Sequence, residues 1–346
     1  MKYFLRNLIV LLALPLIALA QCPPDSLYAY QDTLGKWGYI NASGQIEIPA
    51  QFEQAKAFSC GIAPVQVDGK WGLITADGAT LIAPTFEAIF SPQENRIRFR
   101  QEGKYGFLTL DGKVAIPPQY AEAGNFSEGL APVKMQRYIA GIPAGLRWGY
   151  IDTTGGIVIP PRFSQAGAFR EGLAPVKIIR YLLIFPLSYA FGYIDKTGNW
   201  RIKPTFQWAG VFSSHRALVY QQGKATFIDS TGKPVTGTFT EAGSFHEHRA
   251  RAKESGKWGY IDPLGQWVIP PRYDQARDFS EGYAAVYRQG KWGFVTPDGI
   301  ERIAPTFRTA GKFHAGYAPV QIDAQQWGYI DKNGEWMIRI TKQSRK

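Results

Sequence analysis

Cysteine, histidine and acidic residues are all scarce in this chain, and each scarcity removes a class of chemistry. Only two cysteines, Cys22 and Cys60, stand among 346 residues, too few for a disulfide framework or a thiolate metal cage. In an oxidising compartment they can bridge each other and tie the N-terminus to the first repeat. Four histidines are present. His246 and His248 lie at i and i+2, so a strand would point both to one face, but "FHEHRARAKES" around them is polar and basic. That fits a solvated edge better than a metal site, which wants a third ligand and a shielded pocket. His215 and His314 fall in connectors, at positions held elsewhere by Ser or Glu. No Ser-His-Asp or Cys-His arrangement repeats a local signature, and the glycines form no phosphate loop. The expectation is therefore no catalytic residue, no metal and no cofactor.

Acids are outnumbered: 28 Asp and Glu face 39 Lys and Arg, for a formal charge of +11. Such a balance favours anionic partners, meaning envelope polymers, acidic proteins or membrane surfaces. It does not single out nucleic acid, which an exported protein rarely meets. Export is suggested by residues 1–20. Lys2 and Arg6 give a positive start, Leu8 to Leu19 an apolar run broken only by Pro15, and Ala18-Leu19-Ala20 a small-x-small cleavage pattern. The run is short for a bilayer span, which wants about 20 apolar residues. Signal peptide is the reading it favours, leaving 21–346 as the mature chain. An uncleaved anchor is the second reading. A lipoprotein is the third, because Leu19-Ala20-Gln21-Cys22 faintly resembles a lipobox, although Gln21 is larger than that motif wants.

The rest of the chain is organised by repetition. An aromatic-Gly pair recurs at Trp37, Trp71, Tyr105, Trp148, Phe191, Trp258, Trp292 and Trp327, with a worn copy at Ala225, so there are nine units. Most neighbours are 33 to 35 residues apart, and two are 43 apart. A period of this size marks a repeat architecture. Within a unit, "LAPVQV", "KWGLIT" and "ATLIAP" are short runs rich in β-branched and aromatic residues, separated by Asp68-Gly69 and Asp77-Gly78. Asp-Gly between apolar runs signals a tight hairpin. Each unit is expected to be a three-stranded antiparallel meander. Trp37 and Tyr39 should share one strand face, and Gly38 the other, where a second backbone or ring can approach. Neighbouring units should cover the ring, and the aromatic after the strand-ending Pro (Phe52, Phe86, Tyr120, Phe163, Phe206, Tyr273, Phe307) should plug the seam.

These residues resemble the WG-repeat, or KWG-repeat, family of bacterial proteins. The resemblance spans about residues 27 to 340 and rests on "KWGYI", "RWGYIDTTGGIVIPPRF", "KWGYIDPLGQWVIPPRY" and "FSEGLAPVK". It implies an all-β repeat architecture and an exported or envelope location. It implies no general catalytic activity, and it carries no site residues to transfer.

The expected fold is thus all-β, a tandem array of nine three-stranded meanders. Because propellers typically hold four to eight blades, an open solenoid or superhelix is favoured over a propeller-like ring. The worn sixth unit, where "PVTGTF" replaces the Pro-aromatic ending, is the expected bend or weak point.

Repetition also sorts the candidate sites. A catalytic residue is needed once, whereas Asp77, Asp111, Asp152, Asp195, Asp229, Asp262, Asp298 and Asp331 recur in one turn. Glu128, Glu171 and Glu281 recur in "EG" steps. All read as chemistry of the unit rather than as a glycosidase-like pair. The asymmetric features are two insertions of the same size in adjacent units, "MQRYIAGIPAGLR" and "IIRYLLIFPLSYA". They should lengthen one hairpin each and project from one face. The candidate partner-binding residues are Arg137, Tyr138, Ile139, Ile142 and Pro143 in the first, and Arg180, Tyr181, Leu182, Leu183, Ile184, Phe185 and Pro186 in the second. The competing reading packs the two hairpins on each other and on the array. Function is therefore expected to be that of an exported, non-catalytic interaction or scaffold protein of the cell envelope (periplasmic, outer-envelope or secreted). It would bind a protein or an anionic envelope polymer, with membrane association through lipidation or the long apolar hairpins. The alternative is a glycan-binding, less readily glycan-cleaving, module that stacks sugars on the repeated Trp rings.

Overall fold

The computed structural model describes residues 27–32, 34–182 and 185–341, with only the backbone given for 181, 182, 185, 186, 340 and 341. The leader at 1–20 and Cys22 lie outside the described residues.

One unit explains the rest. Ile62–Val67 and Lys70–Thr75 pair antiparallel, with Gln66 opposite Trp71. Asp68 and Gly69 join them at φ 48° and 71°, the two positive angles a type I′ hairpin requires. Thr80–Phe86 adds a third strand, with Phe86 opposite Trp71. The connector then does something unexpected: Gln54–Ala55 pairs with Val65 and Gln66, adding a short strand on the other edge. Seven of the nine sheets have this fourth strand, so the three-stranded expectation is corrected. A two-residue pairing has no periodicity to detect in sequence. In the sixth sheet the connector strand is longer, Trp208–Ser213, and the third strand is reduced to bridges at Pro234 and Phe239. We number the sheets as blades 1 to 9 in chain order, covering 27–52, 54–86, 88–120, 122–163, 165–206, 208–239, 241–273, 275–307 and 309–341.

Core is built between blades rather than within them. Tyr39, Ile48 and Phe52 of blade 1 meet Phe58, Ala63, Val65 and Ile74 of blade 2 in one buried cluster. Equivalent clusters fill the following seam and the one between blades 8 and 9. Seven connector aromatics seat on the ring of the blade before, as Phe58 does on Tyr39 at 4.6 Å, Phe169 on Tyr150 at 4.8 Å and Phe313 on Phe294 at 5.0 Å.

The array closes. The glycine of the second turn rests on an Ile of the preceding blade: Gly78 on Ile48, Gly112 on Ile82, Gly334 on Ile303. The series continues through Gly44 of blade 1, which rests on Ile338 of blade 9. Likewise the Tyr39 hydroxyl donates to the Lys56 carbonyl of the next blade at 2.7 Å, and Tyr329 of blade 9 donates to Ala29 of blade 1 at 2.9 Å. Tyr28 completes the seam. It stands where seven other blades carry Ala63, Ala131, Ala174, Ala217, Ala250, Ala284 and Ala318 and blade 3 carries Ile97. Its ring packs on Tyr317 and Tyr329 at 5.2 and 6.0 Å, and its hydroxyl donates to the Ala315 carbonyl at 2.8 Å. The molecule is a nine-bladed β-propeller, not the open solenoid favoured above. Blade number alone was the wrong guide, since a ring of nine needs each seam to turn by only a ninth of a circle. Blade 6 keeps its place in that ring, so the worn unit is no bend.

Candidate functional site

The repeated acids are consumed by the fold. The Asp152 carboxylate accepts from the amides of Thr154 and Gly156 at 2.8 and 2.9 Å and from the Thr154 hydroxyl at 2.6 Å. Those bonds, the hydroxyl first, hold it below the usual carboxylate range. The "EG" glutamates act between blades. Glu128 accepts from the Gly172 amide of the next blade at 3.1 Å, and Glu281 from Gly316 at 2.8 Å. Glu94 and Glu247, outside the motif, grip the following turns in the same way. His246 and His248 sit at a tight turn whose centre is Glu247 and His248, at φ 50° and 60°. The strand geometry expected for that pair is therefore corrected. Cys60 occupies the equivalent turn of blade 2 at φ 57° and is disulfide-bonded.

The two insertions do what their spacing suggests. Blade 4 runs Leu130–Ile139 out and Ile142–Asp152 back around Ala140-Gly141, with Ile139 opposite Ile142. Blade 5 runs Ala174–Leu182 and Phe185–Ile194, with Leu182 opposite Phe185. In the first hairpin Arg137 is half-buried, while Pro143, Tyr138, Ile139 and Ile142 are exposed, the last by 69%. In the second, Arg180 is exposed; Leu183 and Ile184 lie outside the described residues, as do the side chains of Tyr181, Leu182, Phe185 and Pro186. Leu187 is 70% exposed and Tyr189 is exposed with it. Toward the tips the described side chains are thus presented to solvent, whereas Met135 and Ile178 nearer the base pack against the buried core.

A groove of about 410 Å³ opens at the foot of these hairpins, lined by Glu122, Lys134 and Trp148 of blade 4, Pro175 and Phe191 of blade 5, and Trp208 of blade 6. Lys134, the first residue of one hairpin, is tied to Glu122 at 2.6 Å. Trp208 is 43% exposed and stands where other blades carry Gln54, Ala88, Glu122, Gln165, Glu241, Gln275 or Thr309. Sequence reasoning missed Trp208, Leu146, Leu187 and Tyr189; the signal for Trp208 was a ring at a position otherwise polar or small. The repeated Trp rings form no open platform. Trp258 and Trp292 are buried, and Trp37, Trp71, Trp148 and Trp327 are half-buried. Several carry a cation: Lys56 over Trp71 at 4.6 Å, Arg277 over Trp292 at 4.9 Å, Arg251 over Trp258 at 5.2 Å.

Comparison with solved structures shows this fold in a eukaryotic initiation factor, with TM-score 0.63 and 14% identity over 92% of this chain and 96% of that one. BamB from Moraxella catarrhalis aligns with TM-score 0.42 and 14% identity over 90% of this chain and 91% of its own. The WD40 β-propeller domain of Doa1 gives 0.33 and 8% over 68% and 92%. Among curated proteins no match was found. The "WG containing repeat" family matches nine consecutive segments, 37–71, 71–105, 105–136, 148–178, 191–224, 226–258, 258–292, 292–324 and 327–340. They fall in step with the aromatic-Gly pairs and with the nine sheets, and the chain belongs to the WG-containing repeat family.

Proposed function

We propose that this propeller is an exported, non-catalytic interaction scaffold that holds a protein partner between its two long hairpins and the groove at their foot. The observation that carries this is the number of exposed apolar side chains on two adjacent ribbons. Tyr138, Ile139, Ile142 and Leu146 on one ribbon, and Leu187 and Tyr189 on the next, stand above a groove walled by Trp148, Phe191 and Trp208. Aromatic residues rimmed by Arg are what interface centres use, and a ribbon with exposed apolar residues is costly to keep in water without a partner. Neither insertion, 134–147 nor 177–190, contains an acid, so an acidic partner surface is favoured over a basic one. The repeat-ring sugar platform has less support, because the rings it needs are buried, half-buried or covered by cations.

The test is a capture experiment from an envelope extract, run with the full chain and with a variant whose two hairpins are cut back to the length of the neighbouring blades. Loss of a specific protein with an unchanged melting curve supports the hairpin site. Retention of every partner contradicts it and moves attention to the repeat surface, with a glycan array as the next assay.

A further inference from the structure

Across the ring from the hairpins, we infer a binding site for an oxyanion in blades 7 to 9. A cavity of about 390 Å³ there is lined by His246, Arg251, Arg277, Asp278, Ser280 and Lys312, together with Phe279. Its charged residues differ from the commonest residue at their positions in the repeat. Arg277 stands where Gly124, Gly167, Gly210, Gly243 and Gly311 stand in five other blades, and where blades 2 and 3 carry Lys56 and Phe90. Lys312 and Asp278 share a position held elsewhere by Ala57, Ser91, Asn125, Ala168, Val211 and Ser244. Arg251 stands where Pro64, Pro132, Pro175 and Pro319 stand, with Arg98 its counterpart in blade 3, and His246 stands where Ser59, Ser127, Ser213 and Ser280 stand, with His314 its counterpart in blade 9. The Ser280 hydroxyl is already engaged, donating to the Phe313 carbonyl of the next blade just as Ser127 does to Phe169. Five charged or titratable side chains converge on this one cavity.

The charges there do not cancel. Asp278 is occupied by Arg251 at 2.8 Å, with His246 at 3.6 Å from its other oxygen. Arg277 and Lys312 enter no ion pair among the described residues. Arg277 is held instead over the face of Trp292 at 4.9 Å, which fixes the guanidinium while leaving its donors open. A planar fork of donors beside a mobile ammonium suits a phosphate or carboxylate group. Arg277 also borders a second groove, of about 570 Å³, at the seam of blades 9 and 1. The site is therefore wide enough to admit the charged end of a larger molecule. This inference does not depend on the hairpin reading.

Titration calorimetry of the full chain with inorganic pyrophosphate and with trigalacturonate tests it, the two probes separating a phosphate from a carboxylate source. The variant R277G/K312A restores residues that other blades already tolerate. The control R201A/R302A removes the same net charge from exposed outer strands. We expect saturable binding of at least one probe, weakened at least about tenfold in the site variant and nearly unchanged in the control, with both variants melting like the parent. Absence of binding to the parent chain, or an equal loss in both variants, overturns the assignment.

Discussion

Gly149 shows what the second residue of each aromatic-Gly pair does. A Cβ there would run into the Ile159 carbonyl oxygen and the Pro161 nitrogen, because the third strand bulges inward between its pairings with Trp148 and Tyr150. Replacing Gly149 with Val should destabilise the fold by about 1–3 kcal/mol in a denaturant titration; an unchanged midpoint would contradict this account of the pair. The close backbone approach was legible from the strand alternation. Which ring carries the core was not. Trp148 stays half-buried, and Tyr150, two residues on, is fully buried. Both share one strand face, and only the angle between blades decides which meets the neighbour. Titrating residues set the limits of pH stability. The Thr154 hydroxyl holds Asp152 below the usual range, and bonds from Lys113 and Thr109 hold Asp111 at about 2. A lowered folded-state pKa gives stability that is full above the unfolded value of 3.8 and lost as pH falls toward the folded one. Burial raises Tyr28 from 10.0 to about 12, with Tyr39 and Tyr150 also raised. That stability is full below pH 10 and lost as pH climbs through the folded values. The melting temperature should therefore be flat from about pH 5 to 9 and fall on both sides. A decline beginning near neutrality would count against these assignments.

At the scale of the element, the hairpin turns and the two insertions were legible, since Asp-Gly dipeptides and spacing report directly on local geometry. The short inner strand was not, and neither was the role of the "EG" step. Its sequence reads as a turn, and only the ring brings the Glu128 carboxylate to the Gly172 amide at 3.1 Å and to Lys196 at 3.1 Å. The carboxylate is largely shielded. Glu128→Ala should therefore cost about 1–2 kcal/mol by leaving that amide without its acceptor, measurable by chemical denaturation. Glu102→Ala, in an exposed hairpin turn, should cost almost nothing. Equal effects would show that the clamp between blades is not what Glu128 contributes. Trp208 belongs to this scale as well. It lies on a connector strand whose equivalents are polar or small, and Trp208→Gln should leave stability intact while weakening capture of a partner.

At the scale of the whole molecule, the number of units was legible and the closure was not. Eight seams follow from repetition, but the ninth joins residues nearly 300 apart in sequence, with Tyr28 to Ala315 separated by 287 and Tyr329 to Ala29 by 300. No local pattern encodes such a contact. Tyr28, in a column of seven alanines and Ile97, was the trace of it. The closed ring also fixes how the sites are arranged, with the hairpins on blades 4 and 5 and the basic cavity on blades 7 to 9. Closure is therefore the claim to test first, by spin-label distances between equivalent positions just before the aromatic-Gly pair. A pair at Lys36 and Gln326 spans blades 1 and 9, and a pair at Lys70 and Lys104 spans the ordinary neighbours 2 and 3. The closed propeller predicts the same narrow distance for both pairs. A much longer separation for Lys36 and Gln326 would mean an open array and would contradict the account.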